Sequence, residues 1–281
     1  MLKAFFDGNI IDDKQPIVSG NNPGLRFGDG IFETILVVNE KPILISEHLL
    51  RLQKGMNLLD LHLPVPNLES AILSQISTLV NTNEVKYGRL RLTVFRREQS
   101  VNGNSNVNAH LLIQINPLSG APEFNNKGLK LVIYDQVKKQ QDALSAIKHN
   151  SFLPFSLGMA NAVKKEADDS IILNTEGRAC ETCIANIWMV KNGVIKTPSL
   201  GEGPIAGIMR AFLLRHLKKR KIPVLETAIR LEELKAADEV FISNSIRIIN
   251  WVGDMDGVPM SHKFSNQLFV ELKGEYPEIF S

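Results

Sequence analysis

The stretch Phe32-Glu-Thr-Ile-Leu-Val-Val-Asn-Glu-Lys-Pro-Ile-Leu-Ile-Ser-Glu-His48 passes from one periodicity to another. Phe32–Val38 is rich in β-formers, Asn39-Glu40 reads as a turn, and Pro42–Ile45 returns as the second arm of a hairpin. Ser46 then offers an N-cap, and Glu47–Leu59 places Leu49, Leu52, Met56 and Leu59 at helical spacing. A hairpin that runs directly into an amphipathic helix predicts an α+β chain.

The same reading extends outward. Ala4–Phe6 and Ile10–Ile11 flank Asp7-Gly8-Asn9, a second hairpin signal. Leu68–Leu79 reads as a helix, and Leu90–Phe95 and His110–Ile115 as strands. An asparagine-rich polar loop, Arg96–Asn108, separates those two strands. Asn116–Gly128 holds two prolines and two glycines without periodicity and reads as an interdomain linker. This predicts a smaller domain over 1–116, a linker over 117–128 and a larger domain over 129–281. In the latter, Lys130–Tyr134, Ser170–Asn174, Ile184–Val190, Val224–Arg230 and Glu239–Ser243 read as strands. Leu157–Lys165, Gly207–Arg220 and Leu231–Ala236 read as helices.

Composition narrows the function. A net charge of +2 gives no field that would draw nucleic acid or a lipid surface. No apolar run reaches the ~18 residues that span a bilayer, and the N-terminus does not resemble a signal peptide. Two cysteines, Cys180 and Cys183, fit a reducing cytoplasm. Their Cys-x-x-Cys spacing lacks the second pair that a zinc site needs, so they read as small core thiols. Lys218–Lys221 reads as the solvated end of a helix, where cations complement the dipole. Phe27-Gly-Asp-Gly30 reads as turn chemistry when taken alone.

Six blocks in order give these scattered features a common frame. They are Leu25-Arg-Phe-Gly-Asp-Gly-Ile-Phe-Glu-Thr34, Glu47-His-Leu-Leu-Arg-Leu52, Ile147-Lys-His149, Gly177-Arg-Ala-Cys-Glu-Thr-Cys-Ile-Ala-Asn-Ile187, Gly207-Ile-Met-Arg210 and Ala237-Asp-Glu-Val-Phe-Ile-Ser-Asn-Ser245. Together they resemble the class IV, fold type IV pyridoxal-phosphate enzymes, the D-amino-acid aminotransferase-like group. That group includes branched-chain aminotransferases, D-amino-acid aminotransferases and aminodeoxychorismate lyases. The resemblance implies a two-domain α+β fold, pyridoxal 5'-phosphate as cofactor, a small amino compound as substrate and a homodimer.

It also implies roles for individual residues. Lys148 would anchor the cofactor and act as acid and base. Glu181 would face the pyridine nitrogen and keep it protonated. Arg51, the helix start at Gly207-Ile208-Met209, and Asn244 and Ser245 would hold the phosphate, with Asn186 as a further cofactor contact. Phe27 stands where branched-chain enzymes place a tyrosine, next to the substrate. Arg89 and Arg91, two residues apart in extended chain, would share a face; one of them would bind a substrate carboxylate. Within the group, Lys148-His149, Ala185–Trp188 and Gly207–Arg210 look closest to aminodeoxychorismate lyase. A branched-chain or D-amino-acid aminotransferase is the alternative, and a binding homologue without catalysis is a third reading.

Overall fold

The computed structural model describes residues 1–64, 67–98 and 108–281. The chain divides into two compact units. The first is Met1–Ala121 with Ile147–Ser151 and Glu278–Ser281; the second is Pro122–Ala146 with Phe152–Pro277. The break at residue 121 falls inside the expected linker. Lys148, expected with the C-terminal part, counts with the first unit instead.

In the first unit β1 (Lys3–Phe6), β2 (Asn9–Asp12), β3 (Gly30–Val38), β4 (Lys41–Pro42), β5 (Tyr87–Arg96) and β6 (Ala109–Pro117) form a sheet in the order β2-β1-β6-β5-β3-β4. Both expected hairpins are present, with Asp7, Gly8, Asn39 and Glu40 at positive φ as tight turns of this kind require. The short helix α1 (Pro23–Phe27) precedes β3. Helices α2 (Ile45–Leu58) and α3 (Leu68–Thr82) cover one sheet face. Their apolar stripes meet Ile31, Ile35 and Val37 of β3, Leu90, Leu92 and Val94 of β5, and Ile113 of β6 in one core.

Two details differ from the expectation. The helix does not start behind Ser46: Leu44, at φ +52°, is the residue before its first turn, and no side chain caps it. The strand predicted over Pro42–Ile45 therefore shrinks to Lys41–Pro42, because Ile43–Ile45 turns into the helix.

In the second unit β7 (Leu129–Lys139), β8 (Asp169–Asn174), β9 (Ala179–Thr182), β10 (Asn186–Lys191), β11 (Val194–Pro198), β12 (Val224–Thr227), β13 (Glu239–Asn244) and β14 (Ile248–Met255) follow the order β12-β11-β10-β13-β14-β7-β8-β9, with β15 (Val258–Pro259) on β14. Helices α4 (Leu153–Lys164), α5 (Ile208–Lys219), α6 (Leu231–Lys235) and α7 (Lys263–Glu275) belong to it. Ile184 and Ala185, read as strand, lie in the turn before β10. Lys218, Lys219 and Arg220, at the end of α5, pair with Glu226, Glu271 and Glu275. Cys180 and Cys183 are buried free thiols, and burial pushes both of them up.

Ile147–Ser151 joins the first unit through main-chain pairing. Beyond β5, the other edge of β3 is covered by β4 only along its second half, at Val37 and Val38. Along the first half, Phe32 N–H donates to Lys148 O (2.9 Å) and Asn150 N–H donates to Gly30 O (2.8 Å), with Ile31 opposite His149. Such close approach explains the Gly-Asp-Gly motif. A Cβ on Gly30 would meet Asn150 Nδ2 and Val94 O at 2.6 Å, and Gly28, at φ +66°, lies against the Ser151 backbone. Gly30→Ala should therefore lower stability by about 1–3 kcal/mol, read by thermal denaturation. An unchanged melting temperature would contradict the contact.

Candidate active site

The alternation of β3 sorts its side chains onto two faces. Glu33 points to the helix side, where charge is rare. His48 Nδ1 lies 2.6 Å from Glu33 Oε2, and Arg51 donates Nε to Oε1 (2.7 Å) and Nη2 to Oε2 (2.5 Å). His48 and Arg51 sit three residues apart on α2, so both reach the same carboxylate. Burial alone would raise the Glu33 carboxyl, but the Arg51 charge and the hydrogen bonds from His48 and Arg51 outweigh it and bring it to about 2. Burial lowers the His48 ring, and Glu33 offsets this only in part. Arg51 is thus held rigidly, with the bidentate pair taking two of its five N–H donors.

Phe32 points to the opposite face. The Arg91 guanidinium lies 3.8 Å from its ring centroid, and Lys148 Nζ lies 4.5 Å from it. Arg91 stands opposite Thr34 in the β3–β5 pairing and donates Nε to Thr93 Oγ1 (3.3 Å). Among the described residues no carboxylate lies within ion-pair distance of Arg91, and burial followed by repulsion from Arg89 lowers it. The two arginines do share a face, but Arg89 is exposed and Arg91 half-buried. Phe27 stands apart from this cluster: it is 69% exposed at the end of α1, beneath Arg26.

In the second unit the backbone of one residue links two of the expected cofactor residues. Ile205 N–H donates to the Glu181 carboxylate (3.2 and 3.1 Å), and Ile205 O accepts from Asn186 Nδ2 (3.0 Å). Gly207 follows as N-cap of α5, which has no side-chain cap. A Cβ on Gly207 would lie 1.9 Å from Asn186 Oδ1, so glycine is needed there for space, its φ of −64° being ordinary. Ile208 and Met209 form the first turn of α5. Ser245 follows β13 in a turn closed by Asn244 Oδ1, which accepts from Ile246 and Arg247 N–H (3.0 and 2.9 Å). That turn ends at Ile248 with φ +60°, a conformation costly for a β-branched residue and typical of functional loops. Asn244 also borders a cavity of about 120 Å³ with Asp169, Arg247 and Asn250.

These residues suit pyridoxal 5'-phosphate. A buried carboxylate suits a protonated ring nitrogen, an uncapped twelve-residue helix entered through a glycine suits a phosphate, and a lysine fixed by its backbone suits an aldehyde. The structure brings Glu181, Asn186 and Gly207 together in one unit, and Lys148, Phe32 and Arg91 in the other. Sequence reading passed over Phe32, Glu33 and His48. The available signal was a glutamate inside an apolar strand, followed by a histidine and an arginine on one face of the next helix.

The chain is similar to known proteins over most of its length. Residues 30–252 match the family model described as amino-transferase class IV. A D-alanine aminotransferase of Listeria monocytogenes is 28% identical over 268 residues, 92% of this chain and 90% of its own. The structure of a branched-chain aminotransferase from Thermoproteus uzoniensis with norvaline superposes with a TM-score of 0.85 at 23% identity, covering 99% of this chain and 97% of its own. A 4-amino-4-deoxychorismate lyase from Pseudomonas aeruginosa gives 0.81 at 23%, covering 97% and 99%.

The buried triad predicts a pH dependence. Both Glu33 and His48 titrate lower in the folded chain than in the unfolded one, so each contributes stability at high pH that is lost on acidification. Loss should begin below about pH 6.5 through His48. It should deepen between about 4.5 and 2 through Glu33, whose share is on the order of 3 kcal/mol. Glu33→Gln should flatten the lower part of the stability–pH curve measured by denaturant unfolding.

Proposed function

The chain belongs to the class IV aminotransferases, enzymes that use pyridoxal phosphate, and from that premise we propose that it transfers the amino group of a small α-amino acid to a 2-oxo acid. The observation that carries this reading is the pair of cations on Phe32. One is a lysine held by main-chain bonds. The other is a half-buried guanidinium with no carboxylate of its own among the described residues. Bound pyridoxal phosphate supplies an aldehyde that captures amines and a ring that accepts an electron pair.

The chain's own residues do the rest. Lys148 is the base that takes the proton from the substrate α-carbon and the acid that returns it. Arg91 binds the α-carboxylate through its fork and fixes the substrate beside that lysine. Glu181 holds the proton of the ring nitrogen. The first turn of α5, Ser245 and Asn244 suit the phosphate, and Arg51, braced by Glu33 and His48, is the phosphate cation that the family resemblance implies. Exposed apolar side chains of the first unit, Leu25, Phe27, Leu50 and Leu58, offer a surface for the second copy of a homodimer.

The lyase reading rests on the Lys148-His149 pair and on the Ala185–Trp188 and Gly207–Arg210 blocks. Trp188 is fully buried, stacks on Phe241 with centroids 5.6 Å apart and donates Nε1 to Ser243 Oγ (2.9 Å). Met209 and Arg210 are buried too. Those residues serve the core, and their likeness to lyases carries little information about substrate. The curated relative also bears the name of an aminotransferase.

One assay pair tests the choice. Keto-acid formation from branched-chain or D-amino acids with 2-oxoglutarate supports transamination. Release of pyruvate from aminodeoxychorismate without any acceptor would reverse it. Arg91→Ala should raise KM for carboxylate substrates about tenfold or more, given the 1.5–3 kcal/mol typical of a charged hydrogen bond, and leave cofactor absorbance intact. Unchanged kinetics would remove Arg91 from this role.

A further inference from the structure

Lys139 ends β7, and its ammonium is paired with Glu181 Oε1. The two residues are 7% and 3% exposed. The lysine also lies 5.1 Å from the centroid of the buried Phe155 ring. Nothing in the family resemblance singled it out. Burying two charges commonly costs more than their attraction returns, so the pair calls for a reason beyond folding. The carboxylate's hydrogen bonds suggest one. Oε1 receives Lys139 and shares the Ile205 N–H, whereas Oε2 receives, among the described residues, only that shared N–H. An ionised carboxylate oxygen has two acceptor sites, so Oε2 retains room for another donor.

We propose that Lys139 is a positioning residue for the cofactor: it holds Glu181 as a fixed carboxylate through Oε1 and leaves Oε2 to accept the N–H of the pyridoxal-phosphate ring. The proposal rests on Glu181 being the partner of the ring nitrogen. Among the described residues Lys139 is then the carboxylate's only counter-cation while the cofactor is absent, and one of two when it is present. This makes a prediction that a purely structural salt bridge does not. Without the ammonium, the ring nitrogen becomes the only cation available to Glu181, so the cofactor must stabilise the protein more than it does in the wild type.

The test is a set of thermal melts on cofactor-free protein and on protein saturated with pyridoxal phosphate. The proteins are wild type, Lys139→Met, Lys139→Arg, Glu181→Gln and the double variant Lys139→Met/Glu181→Gln. The cofactor absorbance band is followed against pH in each. Cofactor-free Lys139→Met should melt about 5–10 °C below wild type, since it strands a buried charge. Pyridoxal phosphate should restore most of that loss, giving a larger cofactor-induced rise than in wild type. Lys139→Arg should behave like wild type, and the double variant should recover stability because neither charge remains. An equal fall with and without cofactor would overturn the proposal. Should Lys139→Met fail to fold alone, a stable double variant supports the proposal and an unstable one overturns it. Failure of the underlying reading looks different: Glu181→Gln would then keep the wild-type cofactor affinity and the wild-type pH course of the band.

Discussion

The pairing of Ile147–Ser151 along the first half of β3 is the constraint on which the site depends. In the proposed function the lysine acts on one carbon, which a wandering loop would not allow. Two main-chain bonds, Phe32 N–H to Lys148 O and Asn150 N–H to Gly30 O, fix the backbone at the lysine and just after it. The pleat then sends Ile147 into the helix-side core and Lys148 to the Phe32 face. Gly28 and Gly30 give the segment room to approach, and the brevity of β4 leaves that part of the edge open.

Both units place a carboxylate where the chain would otherwise be apolar, and each is matched by donors from other elements. Glu33 has Arg51 and His48; Glu181 has Lys139 and the Ile205 N–H. Buried carboxylates without such partners would be costly. Each also has one rigid side and one side on which chemistry can act. The Glu33 pairing aims a guanidinium, and the Glu181 pairing leaves an acceptor oxygen.

Much of the fold was legible because its signals are local. The hairpins at Asp7-Gly8 and Asn39-Glu40 and the stripe on α2 are all set by neighbouring residues. The start of α2 was misplaced because Leu44 adopts a positive φ that no propensity forecasts. The candidate site was read only through resemblance. Lys148 reaches Phe32 by pairing two segments far apart in sequence, and no periodicity announces such contacts. Phe27 drew attention through its motif and lies exposed. Phe32, hidden in an apolar run, carries the cations. The role of Gly207 is invisible to turn rules, because its φ is ordinary and only the Asn186 side chain forbids a larger residue. The Asn-rich loop over 96–108 falls largely on 99–107, outside the described residues.

The edge pairing of β3 has a consequence for how this chain can vary in length. Side chains along paired strands alternate faces with a period of two. A single residue inserted or deleted between Ala146 and Lys148 would shift the lysine into the core under α2 and bring a neighbour to Phe32, even with every hydrogen bond re-formed. Two residues would restore the face but move the lysine one pleat along the ring. The loop that enters this segment is thus counted to the residue, whereas the surface turns of either sheet can lengthen without touching the chemistry.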